Sequence, residues 1–343
     1  MSNKRHWKTW LAVVALISMI VLAGCGKTPA ADSKKPAEGA KPGFKLEKPV
    51  TMIVPFSAGG SSDLLARAVE KVWPKYSSQP LQVVNKPGGG GIEGARFVSR
   101  AKPDGYTIEM GLGSGHDLVM PHLEKMEYDP FRDLVPAARV SIHSVMIVVP
   151  ENSPFKTIKD VVEWSKKENK PITAAVSTTA GAVDLTMRAL GKRAGVNVIP
   201  VPHAGGSQAV TTILGGQTVI GGAFASEVIG HLKAKRLRPL GVAIPERDPA
   251  TPDVPTLKEQ GYDVSVWGSV KGIGLPKGTP PEITAFYSDL FKQITDDAEF
   301  KKIMQDMLQP INYLNAADYG IWMHKAYDET GVLINELGLT KKK

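Results

Sequence analysis

The pattern that most restricts this chain is a short apolar run, a loop rich in glycine or serine, and then an amphipathic helix, recurring along its length. Residues 50–55 form such a run before Ser57-Ala58-Gly59-Gly60, after which Leu64, Leu65, Ala68 and Val72 fall at helical spacing. A second run at 81–84 precedes Asn85-Lys86-Pro87 and four glycines, a helix at 95–101 and a strand near 106–110. From 144 the series starts again, with strands at 144–149, 172–176, 196–201, 219–224 and 237–243. Helices are expected at 158–167, after Gly181, and at 207–214. Such alternation predicts parallel strands with crossover helices, an α/β fold in two units. After Tyr262 come strands at 264–267 and 273–275, then helices at 280–295, 298–308 and 316–337. These strands are too few for a third sheet, so they are expected to complete the first unit. The expected domains are therefore 48–143 with 265–343, and 144–264, with the chain crossing between them twice.

The N-terminus has a different character. Lys4, Arg5 and Lys8 precede an apolar run at 11–23, too short for a spanning helix and fit for the h-region of a secretory signal. The run ends at Leu22-Ala23-Gly24-Cys25, which resembles the lipobox of bacterial lipoproteins. The resemblance implies a signal peptide at 1–24 and lipidation of Cys25, placing the protein outside the cytoplasm and on a membrane. Cys25 is the chain's single cysteine, so no intrachain disulfide forms. Residues 25–47, rich in Ala, Pro, Lys and Gly, read as a flexible tether. Removing 1–24 takes three cations and no acid from a formal charge of +8, leaving +5. With no arginine-rich stripe, nucleic acid is not an expected partner.

The loops carry the candidate chemistry. The loop from Pro55 to Asp63 aims backbone amides and the positive end of a helix dipole at one place, which suits an anion. An ordinary helix cap explains it equally well. No Gly-Lys-Ser/Thr follows and GxGxxG spacing is absent, so it is not a nucleotide loop. Asp63, in the first helical turn, reads mainly as structural, with a contact to a ligand amine as the alternative. Ser114, Gly115 and His116 follow a strand, as do Ser177-Thr178-Thr179-Ala180-Gly181 and Val201-Pro202-His203-Ala204-Gly205-Gly206, at the strand ends where open α/β sheets place ligands. The histidines show no HExxH spacing and no Gly-x-Ser-x-Gly elbow is present, so no metal, cofactor or catalytic group is expected.

Lys48-Pro49-Val50-Thr51-Met52-Ile53-Val54-Pro55-Phe56, Gly59-Gly60-Ser61-Ser62-Asp63, Asn85-Lys86-Pro87-Gly88 and Lys102-Pro103-Asp104-Gly105-Tyr106-Thr107 stand in this order, followed by Tyr128-Asp129-Pro130, Leu214-Gly215-Gly216-Gln217, Pro252-Asp253-Val254-Pro255-Thr256 and Leu275-Pro276-Lys277-Gly278-Thr279-Pro280. The series resembles the Bug-type solute-binding receptors of tripartite tricarboxylate transporters, over roughly 48–337. The resemblance implies a type II periplasmic-binding-protein fold of two α/β domains. They would close on a small carboxylate, a di- or tricarboxylate or related organic acid, and deliver it, as a monomer, to a membrane permease. It nominates Phe56, Ser57, Gly59, Gly60, Ser61 and Asp63 in the first loop, Ser114 and His116 in a lining turn, and Thr178, Gly181 and Gly205 in the second domain. His203 stands where the family usually has tyrosine, and Ser177-Thr178-Thr179-Ala180 replaces a glycine-rich turn. A protonated His203 would favour an anion, making binding sensitive to mild acid. Rival readings are a receptor that signals to a partner protein and a secreted hydrolase using Ser114 or Ser177.

Overall fold

The computed structural model describes residues 43–244, 246–247, 251–264 and 266–340. The signal sequence, Cys25 and most of the expected tether lie outside them. The tether's expected end is docked: the Phe44 ring packs against Phe286 and Tyr106, and the Glu47 amide donates to the Tyr106 hydroxyl at 3.1 Å.

In chain order the first elements are β1 (Val50–Val54), α1 (Ser61–Val72), β2 (Leu81–Asn85), α2 (Ile92–Ser99) and β3 (Thr107–Leu112). Three single turns, α3 (Gly115–Leu118), α4 (Met120–Leu123) and α5 (Pro130–Asp133), lead to β4 (Leu134–His143). The second series is β5 (Met146–Pro150), α6 (Ile158–Glu168), β6 (Ile172–Val176), α7 (Ala182–Ala194), β7 (Val198–Pro202), α8 (Gly206–Leu214), β8 (Ile220–Ala223), α9 (Ala225–Lys233) and β9 (Leu237–Val242). The chain closes with β10 (Ser269–Pro276), α10 (Pro281–Asp296), α11 (Ala298–Asp306), β11 (Ile311–Asn315) and α12 (Ala316–Leu337).

The strands form a six-stranded sheet, ordered β11-β4-β10-β3-β1-β2, and a five-stranded sheet, ordered β7-β6-β8-β5-β9. Both are mixed, which corrects the all-parallel expectation. β1 runs parallel to β2 and β3, and β6 to β7 and β8, as crossover helices require. β10 is antiparallel to β3 and β4, and β5 to β8 and β9, because each enters its sheet directly from the other lobe. The link from β4 to β5 is only Ser144 and Val145.

Burial follows the strand patterns. β1 reads Val-Thr-Met-Ile-Val because it lies inside a sheet covered on both faces, where alternation gives way to continuous apolar character. Met52, Val54, Ile108, Tyr287 and Phe291 belong to the core of the first lobe, and Ile147, Val176, Leu185 and Ile220 to that of the second. α12 serves both, with Tyr319 and Met323 packed in the first lobe and Ile334 in the second. The expected strand at 264–267 does not form. Trp267 and Gly268 lie outside any strand, where the chain returns to the first lobe. β4, α9 and β11 are elements that periodicity missed.

Candidate functional site

Four strand-to-helix junctions are built alike, with an acid at the third helical position that turns back to hold the preceding loop. Asp63 accepts from the Gly59 amide at 2.9 Å, Asp117 from Gly113 at 2.8 Å and Asp184 from Ala180 at 2.8 Å. A carboxylate there is favoured by the helix dipole, and it fixes the loop so that the next amides point outward. The fourth junction uses the longer Glu227. Its Oε2 accepts from the Phe224 amide at 3.1 Å, and its Oε1 reaches the other lobe to accept from the Ser61 amide, at the start of α1, at 3.0 Å.

The junctions converge on a cavity of about 50 Å³ between the lobes. The first lobe lines it with Phe56, Gly60, Ser61, Ser62, Ser114, Gly115, Ser269 and Lys271, and the second with Ser177, Thr178, Gly181, Ala182, Gly205, Gly206, Phe224 and Glu227. Trp267 and Gly268 cover the crossing, and the Trp267 indole donates to the Thr330 hydroxyl of α12 at 2.6 Å. The space has room for only a few water molecules, and contacts such as Ser61 with Glu227 join its two sides, so the lobes are closed. Glycine is required where they meet: a Cβ on Gly115 would lie 2.4 Å from the Ala180 carbonyl oxygen of the other lobe.

Of the residues nominated from sequence, Phe56, Gly60, Ser61, Ser114, Thr178, Gly181 and Gly205 come together on this cavity. Five others do not line it. Ser57 sits at the rim, donating to the Ala204 carbonyl at 2.9 Å, and across from it Ser207 donates to the Ala58 carbonyl at 3.2 Å. Gly59 is held by Asp63, whose carboxylate faces its own loop, Asn85 and Arg67 rather than a ligand amine. His203 turns its two ring nitrogens to the Val176 carbonyl and the Thr212 hydroxyl, at 3.2 and 2.7 Å. His116 is sealed behind Phe56, ring to ring at 5.7 Å.

That histidine belongs to a buried cluster. Its Nε2 lies 3.2 Å from Glu109 and 3.3 Å from Asp117, and Tyr128 donates to Asp117 at 2.8 Å. Burial pushes both carboxyls up; burial alone would lower His116, but the two carboxylates outweigh it and raise it. The three side chains bring ligand atoms within 4.8 Å of one another. Asp117 is already committed to the Gly113 amide and the Tyr128 hydroxyl, so the cluster reads as a proton-sharing brace behind Phe56.

Sequence reasoning missed Phe224, Glu227, Trp267, Ser269 and Lys271. Lys271 is 1 % exposed, and its Nζ bonds the Ser269 hydroxyl and lies 5.2 Å from the Phe224 ring centre. Burial lowers it to about 7, with Glu227 pulling the other way. Glu227 is pushed up by burial, against which the Phe224 and Ser61 amides hold it down. The missed signals are a lysine inside an apolar strand, Val270-Lys271-Gly272-Ile273, and an acid four residues past the end of β8.

Comparison with known proteins adds a family to this geometry. The profile described as "Tripartite tricarboxylate transporter family receptor" matches residues 65–339. A UPF0065 protein from the gbd 5′ region of Cupriavidus necator is 30% identical over 295 residues, covering 86% of this chain and 89% of its own. Among solved structures, the periplasmic binding protein BugD superposes with a TM-score of 0.80 at 27% identity, over 87% of this chain and all of its own. MatC of Rhodopseudomonas palustris, with bound malate, gives 0.75 at 23% identity, over 84% of this chain and 99% of its own, and shares the fold.

Proposed function

The chain belongs to the tripartite tricarboxylate transporter receptor family, and from that membership we propose that it is an extracytoplasmic receptor, not an enzyme, that captures a small organic acid between its lobes. The observation that carries the reading is the convergence of the starts of α1, α7 and α8 on one interlobe cavity. Backbone amides at helix starts are preoriented donors for a carboxylate, that of Glu227 at the start of α1 and a ligand's at α7 and α8. In a secluded cleft such a group exchanges water for them, and an unmatched buried donor costs about 1–3 kcal/mol. A ligand that touches both lobes favours the closed form by its differential affinity, and the closed surface is what a permease partner reads.

Cys25 at the end of an apolar run supports a lipid anchor at the outer face of a membrane. Two or more acyl chains hold durably where one does not. The receptor works as a monomer that hands its acid to the transporter's membrane subunits.

The test is a thermal-shift screen of the full chain against di- and tricarboxylates, acidic amino acids and aromatic acids, followed by titration calorimetry. A ligand of the native state raises the melting temperature in proportion to the logarithm of its concentration. No shift from any acid, or a shift matched by the corresponding neutral amides, overturns the reading.

A further inference from the structure

The cavity wall holds two charged side chains, and they differ in how far the protein satisfies them. Glu227 has a backbone amide on each oxygen, one from either lobe. It fills from the protein side the anion position at the start of α1. Lys271 has no such partner. Among the described residues its contacts are one hydroxyl, Ser269, and the face of Phe224, and no carboxylate oxygen lies within ion-pair distance of its Nζ. Glu227 attracts it from beyond ion-pair distance, with both oxygens already held by backbone amides, and the other groups around it offer no counter-charge. Ser141, its register partner on β4, gives its hydroxyl to the Pro310 carbonyl, and His143 beside it is buried with both ring nitrogens unpartnered.

A buried ammonium with no counter-charge in contact is costly, and proteins keep such a charge where something else supplies one. Solvent does not, since Lys271 is 1 % exposed. The remaining source is what enters the cavity. We propose that Lys271 is the specificity-determining residue of the cleft, its ammonium taking an anionic oxygen group of the bound acid while Glu227 occupies the start of α1. The proposal rests on the solute-receptor reading and adds the group that tells an acid from its neutral isostere. The acid lies between Lys271 on β10 of the first lobe and the Thr178–Gly181 loop of the second, with Phe224 and Trp267 against its carbon skeleton.

Titration calorimetry on the full chain tests this, using succinate, glutarate, adipate and the diamide of each. The wild type is expected to bind at least one diacid ten times or more tightly than its diamide. In Lys271→Met that diacid weakens at least tenfold and the preference over the diamide disappears, while Lys271→Arg retains the preference. A lysine with a purely structural role would leave that ratio unchanged. Lys271→Gln repeats the comparison should the methionine variant not fold. A wild type that binds a diacid, with variants that keep both affinity and ratio, overturns the role of Lys271 and leaves the receptor reading standing. A wild type that binds neither these diacids nor any other acid of the wider screen overturns both.

Discussion

The Ser61 amide donates to the Glu227 carboxylate at 3.0 Å, so a side chain of the second lobe stands at the helix start of the first. A hydrogen bond to a charged acceptor is worth about 1.5–3 kcal/mol, enough to bias two lobes that otherwise meet through rim contacts such as Ser57 with Ala204. Removing the carboxylate in Glu227→Ala should therefore shift the ligand-free protein toward an open form. Small-angle scattering would show a larger radius of gyration than wild type; identical curves would mean that Glu227 does not hold the lobes together.

Closure also depends on a close backbone approach. The Cβ of Gly115→Ala would press on the Ala180 carbonyl oxygen at 2.4 Å and the Gly181 Cα at 2.8 Å, both backbone atoms of the opposite lobe. The strain exists only when the lobes meet, so the variant should fold with an unchanged melting temperature and bind its acid at least tenfold more weakly. Gly60→Ala, whose Cβ would come no nearer than 3.3 Å to Ser57 O, should cost less. Calorimetry on the two variants decides the order, and equal losses would count against interlobe strain.

Much of this architecture is legible in the chain because local pattern and global layer agree. Thr157 and Asp160 cap α6 where its apolar period begins, and residues 172–176 are apolar because β6 is covered on both faces. The elements that escaped have patterns altered by where they sit. β4 carries Arg139, Ser141 and His143 in alternation with apolar residues, and those polar groups are buried against other elements rather than solvated. β8 is marked by the apolar run at 219–224 although its Ile-Gly-Gly-Ala carries glycines that admit Ile213, Val183 and Met187; it is α9 behind it that escapes. The run at 219–224 reads as strand to its end with no helix after it, so the junction that carries Phe224 and Glu227 is not visible in it. The glycine- and serine-rich loops of the cleft announce themselves by composition, whereas Lys271 and Glu227 reach one cavity only when the second crossing returns the chain to the first lobe.

Lys271 makes the protein's stability depend on alkaline pH in a defined direction. Its folded value is about 7 against an ordinary 10.5, so between those limits the unfolded chain holds a proton that the folded chain has released. Stability then rises with pH across that window, and the full penalty applies below about 7. Lys271→Met lacks the penalty. It should be more stable than wild type at pH 7 by a few kcal/mol, with the gap closing toward pH 10.5. Urea unfolding of both proteins across that range measures the gap, and a constant difference would show that burial does not displace the lysine's titration.

His203 separates the sequence reading from the structure. Read along the chain, it follows a strand end and invites an anion, whose binding would then strengthen in mild acid. Folded, its Nε2 lies 2.7 Å from the Thr212 hydroxyl and its Nδ1 3.2 Å from the Val176 carbonyl, so both nitrogens tie the end of β7 to α8 and β6. Its ring is absent from the wall of the interlobe cavity. His203→Gln should accordingly change acid affinity less than twofold while lowering the melting temperature by a few degrees, as expected for losing about 1 kcal/mol of neutral hydrogen bonding. A tenfold loss of affinity with unchanged stability would return His203 to the binding surface.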